Sequence, residues 1–337
     1  MYKCRKDSLT GLLDKIAEKY ELFVPVKREK DRVSSFEKYR GDVYLDRNAD
    51  KGVKELFFPQ TEEIARFCTE GGLTVKEAEP QNDDFAVFGA RACDIRGLEL
   101  LDLVFLSEPS DALYAKRREH GVIISAACDN PSEACFCTCF GIDPAKSGDI
   151  SAVSSGDSYY FEILTAKGEK LDQIFASVCE TAEADEIEKE REKLRKKAAS
   201  TPAAAAGARL PEKTTEELFD LSVWEKLSSH CLGCGSCTFV CPTCQCYDIK
   251  DIKTKDGAVR CRVWDSCMYS DFTKMSAGQP RLTQKERFRQ RFMHKLVYFR
   301  ELYGEYGCVG CGRCVYKCPV SMNMIKVIKE PGISKNE

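Results

Sequence analysis

The chain has 337 residues, a net charge of −3, 43% hydrophobic and 31% charged residues, and 20 cysteines. This balance gives no electrostatic footprint for nucleic acid, and no run approaches the roughly 18 apolar residues of a membrane span. Secreted disulfide scaffolds are short and their cysteines lack ligand spacing; the start Met1-Tyr2-Lys3-Cys4-Arg5 has no apolar signal core and no twin arginine, so a reducing, anaerobic cytoplasm is expected.

Residues 1–180 read as an α/β domain. Leu9 to Tyr20 has helical periodicity, with Leu12, Leu13, Ile16 and Ala17 on one side. Phe85 to Gly89 reads as a buried strand, and Asp94 is placed to cap the helix behind it, whose Leu98, Leu101 and Val104 share a face. Gly121 to Ala127 reads as a second buried strand, and Tyr159 to Leu164 followed by Lys167-Gly168 as a hairpin or meander. If the two buried strands are parallel neighbours, their C-terminal ends bring Cys93 and Cys128 to one edge, where α/β proteins place their sites. Cys135 and Cys137 supply two further thiols from the adjoining loop.

Residues 181–213 read as a solvated linker: Glu183 to Lys197 is densely charged without an apolar stripe, and Thr201-Pro202 and a run of alanines follow. Beyond it, residues 214–337 form the second domain, entered by a helix through Leu218, Leu221, Trp224 and Leu227.

This second domain carries one cysteine pattern twice. The copies are Cys231-x2-Cys234-x2-Cys237-x3-Cys241-Pro242 and Cys308-x2-Cys311-x2-Cys314-x3-Cys318-Pro319. A [4Fe–4S] cube needs one thiolate per iron; three closely spaced cysteines wrap three corners, and the fourth comes from the other motif. The expected sets are Cys231, Cys234, Cys237 and Cys318 for one cluster, and Cys308, Cys311, Cys314 and Cys241 for the other. A zinc ribbon pairs two separated CxxC elements and does not repeat CxxCxxC. By the same chemistry Cys93, Cys128, Cys135 and Cys137 are candidates for a third iron–sulfur cluster, against the alternative of free buried thiols. The expected architecture is thus an α/β N-terminal domain joined to a mainly α, two-cluster ferredoxin-like C-terminal domain.

A helical insertion is expected at 242–307, since 66 residues separate Cys241 from Cys308. Phe288, Phe292, Leu296, Phe299 and Tyr303 have the spacing of a core face, and Arg287, Arg289, Arg291, Lys295 and Arg300 read as a solvated basic side. The rival for that basic side is a docking surface, or charge that offsets anionic clusters. Cys244, Cys246 and Cys267 either hold a further metal or line the pocket as reduced thiols; Cys4, Cys68, Cys179 and Cys261 read as incidental. His230 and His294 lack partners that would make a general base. No G-x-G-x-x-G, P-loop, nucleophile elbow or H-E-x-x-H is present, so no flavin or nicotinamide site and no catalytic residue is expected in this chain.

Several strings together resemble a known family. They include Phe57-Phe58-Pro59-Gln60-Thr61, Ala90-Arg91-Ala92-Cys93-Asp94, Cys135-Phe136-Cys137-Thr138, Cys241-Pro242-Thr243-Cys244-x-Cys246, Trp264-Asp265-Ser266-Cys267 and Cys308-Val309-Gly310-Cys311-Gly312-Arg313-Cys314. Over most of its length the chain resembles the β subunits of cytoplasmic NAD(P)-linked hydrogenases (sulfhydrogenases) and the A subunit of anaerobic sulfite reductase. The resemblance implies an electron-transfer subunit, itself non-catalytic, between an FAD/NAD(P)-binding flavoprotein and a catalytic subunit of hydrogenase, sulfite reductase or heterodisulfide reductase type. The alternative is a self-sufficient reductase of sulfite or a disulfide. Ala92 replaces a usual proline, Ser321-Met322-Asn323-Met324 replaces a usual Asn-Ile-Asp-Ile, and Cys139 replaces a usual serine and is excluded as a ligand.

Overall fold

The computed structural model describes residues 1–27, 33–79, 83–207 and 210–334. Its strands, in chain order, are β1 (Tyr2–Arg5), β2 (Glu21–Lys27), β3 (Ser34–Lys38), β4 (Thr61–Cys68), β5 (Thr74–Glu77), β6 (Phe85–Ala90), β7 (Gly121–Ala126), β8 (Ile150–Ser155), β9 (Ser158–Ile163), β10 (Glu180–Thr181), β11 (Tyr247–Thr254) and β12 (Gly257–Trp264). They form a large sheet ordered β10-β1-β9-β8-β7-β6-β2-β3 and a small one ordered β11-β12-β4-β5.

The centre of the large sheet, β2, β6, β7 and β8, is parallel. Every residue of β6 and β7 is buried, as expected of strands covered on both faces. Alternation then sorts the side chains. Ala86, Phe88, Val122 and Ile124 pack against Leu12, Leu13 and Ile16 of the helix Leu9–Ala17. Phe85, Val87 and Ile123 pack against Leu98, Leu101 and Phe105 of the helix Ala92–Phe105. Both expected buried strands are therefore present and adjacent; the strand expected at residues 159–164 is present as β9, but it pairs back onto β8 through a turn before it and not through Lys167-Gly168.

Four expectations are corrected. Lys167 and Gly168 lie in a short helix, Ala166–Glu169, started by the Thr165 hydroxyl accepting from the Gly168 N–H. Asp94 does not cap its helix; Arg91 holds that position, and the Asp94 carboxylate accepts from Arg313 at 2.6 and 3.0 Å with both residues 1% exposed. The span read as a solvated linker contains the helix Asp185–Ala199, which buries Ile187, Arg191, Leu194 and Ala198 at a spacing of four, three and four. Arg191 completes that stripe because its charge is met by Glu162 on β9. The next helix, Pro202–Gly207, puts Ala203 and Ala204 into the core of the C-terminal half.

The insertion is only partly helical. Its first part is the hairpin β11–β12, and β12 pairs antiparallel with β4 of the N-terminal half. Arg262 on β12 is buried against Glu62 on β4 and against Asp111. The helical part starts at a Thr283/Glu286 capping box and runs Gln284–Met293, a π-helical turn His294–Tyr298, then Phe299–Tyr303. Phe288, Phe292, Leu296 and Phe299 are core residues, whereas Tyr303 is exposed.

Removing one partner of a buried ion pair leaves an uncompensated charge at a cost of about 3–5 kcal/mol. Asp94→Ala is therefore expected to lower the unfolding free energy of the chain by that order. An anaerobic urea titration of wild type and variant measures it, and a loss under ~1 kcal/mol would rule out a structural role for the pair.

Candidate iron–sulfur centre

The two cysteine motifs fold as copies of one loop. Each bends through two left-handed glycines, Gly233 and Gly235 (φ 67° and 74°) and Gly310 and Gly312 (φ 60° and 76°), a conformation other residues adopt at a cost. Each then enters a one-turn helix, Ser236–Phe239 or Arg313–Tyr316. Cys231, Cys237, Cys308 and Cys314 pack on one shared core with Trp224, Phe288 and Met324. Cys241 acts electrostatically on Cys308 and Cys311 of the second loop, and Cys237 feels Cys231 and Cys314.

Donors point at sulfur. The Cys231 Sγ accepts from Gln284 Nε2 at 3.4 Å and from the Gly233 N–H at 3.5 Å. The Cys318 Sγ accepts from the Met322 N–H at 3.1 Å. Cys234 is the exposed member of the first loop.

The N-terminal candidates also converge. Cys93, at the start of the helix after β6, Cys128, beyond β7, and Cys135 and Cys137 all line one cavity of about 310 Å³. Asn48 Nδ2 donates to Cys93 Sγ at 3.4 Å. The cavity abuts the second cysteine loop: Cys311 lines it, Cys135 Sγ donates to the Cys311 carbonyl at 3.8 Å, and the Phe136 N–H donates to the Gly310 carbonyl at 2.8 Å. Cys139 turns away and donates to the Ala204 carbonyl at 3.2 Å. Burial pushes the Cys128 thiol up to about 11 and the Cys137 thiol up to about 12, so without a cation these groups stay protonated.

Among the described residues, no three His, Cys, Asp or Glu side chains stand as a ready single-ion site, the two cysteine motifs included. Cys244, Cys246 and Cys267 associate in pairs: Cys244 beside Cys241, and Cys246 beside Cys267, whose side chain holds Cys246 down to about 7. Cys4 and Cys179 belong to the core of the large sheet, and Cys68 and Cys261 lie on β4 and β12. His230 is exposed beside Ser229; burial, reinforced by Lys295, pushes His294 down to about 4, so it is neutral.

The basic side of the late helix is not solvated throughout. Arg291 and Lys295 are 2% exposed and sit among the cysteines. Lys54, from the N-terminal half, joins them, its Nζ 2.9 Å from the Cys244 carbonyl and 3.7 Å from the centre of the Trp264 ring. Nothing in the local sequence around Lys54 signals this, because its partners lie about 200 positions away in the chain.

These features fit iron–sulfur clusters. The donor set is entirely sulfur, all 20 cysteines are free of disulfides, and amide N–H groups already face the sulfurs. Residues 230–322 match the family described as 4Fe-4S dicluster domain, which makes this a [4Fe–4S] iron–sulfur protein of the oxidoreductase class. The sulfhydrogenase 2 subunit beta of Pyrococcus furiosus is 36% identical over 255 residues, covering 73% of this chain and 73% of that protein. The chain belongs to the sulfhydrogenase β-subunit family. No solved structure matches it. Among the described residues, no helix is long and apolar enough to cross a membrane.

A Cβ at Gly310 would lie 2.5 Å from the Phe136 carbonyl carbon and oxygen, at φ 60°. Gly310→Ala is expected to force the Cys135–Cys137 segment off the second loop and to destabilise the chain by more than ~1 kcal/mol. Limited proteolysis and anaerobic unfolding read both effects; wild-type behaviour in both would contradict the contact.

Proposed function

We propose that this chain is the electron-transfer subunit of a multi-subunit oxidoreductase, with three [4Fe–4S] clusters held in a row. Cys231, Cys234, Cys237 and Cys318 hold the first. Cys308, Cys311, Cys314 and Cys241 hold the second, and Cys93, Cys128, Cys135 and Cys137 hold the third. Residues 1–180 serve as the α/β domain, 214–337 as the dicluster domain, and 181–213 connect them.

One observation carries the reading. Cys311, a ligand of the second set, also lines the cavity of the third. The second and third cysteine sets therefore adjoin. When bound, each cluster carries one electron at a potential set by charge, hydrogen bonds and exposure. The protein's part is to fix the spacing, shield the second site and leave the first open at Cys234.

The partners proposed are an FAD/NAD(P)-binding flavoprotein and a catalytic subunit of hydrogenase, sulfite reductase or heterodisulfide reductase type. The sulfhydrogenase relative favours the hydrogenase type. A reducing cytoplasm suits the free thiols.

Iron and sulfide counting with EPR on the full chain, purified or reconstituted anaerobically, tests the cluster number. Wild type is expected to hold about 12 irons, Cys135→Ser about 8, and Cys246→Ser the same as wild type. Equal iron in wild type and Cys135→Ser would remove the third cluster from the proposal. Turnover of sulfite or a disulfide by the chain alone would assign it as a self-sufficient reductase.

A further inference from the structure

Three cations are buried beside the C-terminal cysteines: Lys54 at 5% exposure, and Arg291 and Lys295 at 2% each. The acidic groups that face them most strongly are cysteine thiols. A buried charge needs both a counter-charge and filled hydrogen bonds. Two of the three have their hydrogen bonds within the chain. Lys54 reaches the Cys244 carbonyl, and Lys295 reaches Thr243 Oγ1 at 2.7 Å and the Gly307 carbonyl at 2.9 Å.

Arg291 differs. Its Nε and Nη2 are buried with no hydrogen-bond partner. Leaving such donors unmet is costly, and more so for a charged group. The groups that act on the guanidinium are Cys237 of the first ligand set, Cys314 and Cys241 of the second, and Cys244. Acceptors at that position would be the sulfurs of bound clusters.

We infer that Arg291 is a positioning residue for the two C-terminal clusters, donating hydrogen bonds to sulfur at their junction and raising the reduction potentials of both. The inference rests on the proposed clusters and adds what sets their potentials. A [4Fe–4S] group with four thiolates is anionic and gains a further negative charge on reduction. A fixed guanidinium beside it therefore stabilises the reduced form more than the oxidised form. Lys295, one helical turn away and already bonded to oxygen, supplies charge without that direct contact.

The test is an EPR-monitored redox titration of the full chain for wild type, Arg291→Gln and Arg291→Lys, with iron counted in each. In Arg291→Gln both C-terminal clusters are expected to move to more negative potential, while the N-terminal cluster stays in place. Arg291→Lys is expected to fall between Arg291→Gln and wild type. If Arg291→Gln loses C-terminal iron that Arg291→Lys keeps, the counter-charge role is supported as well. Full iron in Arg291→Gln with unshifted potentials would overturn the inference, as would an equal shift of all three clusters, which marks a general structural effect. Wild type without iron would overturn the proposed function and this inference together.

Discussion

The buried pair between Asp94 and Arg313 fixes the relation between the two halves of the molecule. Asp94 follows Cys93 at the start of its helix, and Arg313 stands between Cys311 and Cys314. This charge contact, together with the Phe136–Gly310 hydrogen bond, registers one cysteine set against another. The rest of the guanidinium is also used: Arg313 Nε donates to the Ala49 carbonyl at 2.7 Å and Nη2 to Asn48 Oδ1 at 2.6 Å. Asn48 then donates its own amide to Cys93 Sγ. A planar, always charged fork can hold three acceptors in one plane, which an ammonium cannot. Gly52 makes room for it, since a Cβ there would lie 2.2 Å from the Asp94 carboxylate.

The C-terminal half solves a different electrostatic problem. It packs Lys54, Arg291 and Lys295 where a hydrophobic core would normally exclude them, with aromatic rings of Trp224, Phe288 and Phe292 in the adjoining core. Buried cations of this kind are costly unless anionic groups face them, and the groups that face these are cysteines.

The sequence made the chemistry more legible than the architecture. The repeated cysteine spacing is local, so Cys231 to Cys241 and Cys308 to Cys318 can be read directly, and the loops do share one backbone shape. The thiols beyond β6 and β7 were legible too, because parallel buried strands place their ends together. What escaped depends on distant partners. Arg191 breaks the apolar stripe of its helix on paper, yet Glu162 neutralises it in space. Asp94 has the sequence position of a cap and is recruited by a residue 219 positions later. In β11–β12 the apolar Ile249 and Ile252 are three apart and sit among many charges, so only Val259, Cys261 and Val263 alternate, a strand signal weak enough to be overlooked beside the long helix that follows. Arg291 and Lys295 read as solvent-facing because their counter-charges are spread over cysteines far away in sequence.

The pairing of β4 with β12 has a consequence for how the molecule is made. Residues 61–68 leave the ribosome almost 200 residues before their partner at 257–264. Until then β4 has only the short, exposed β5 beside it and presents an open hydrogen-bonding edge. Non-local strand pairing of this kind is slow and leaves the nascent chain open to edge-to-edge association. The edge stays open for as long as the intervening residues take to be synthesised, so a chaperone that covers it protects the nascent chain.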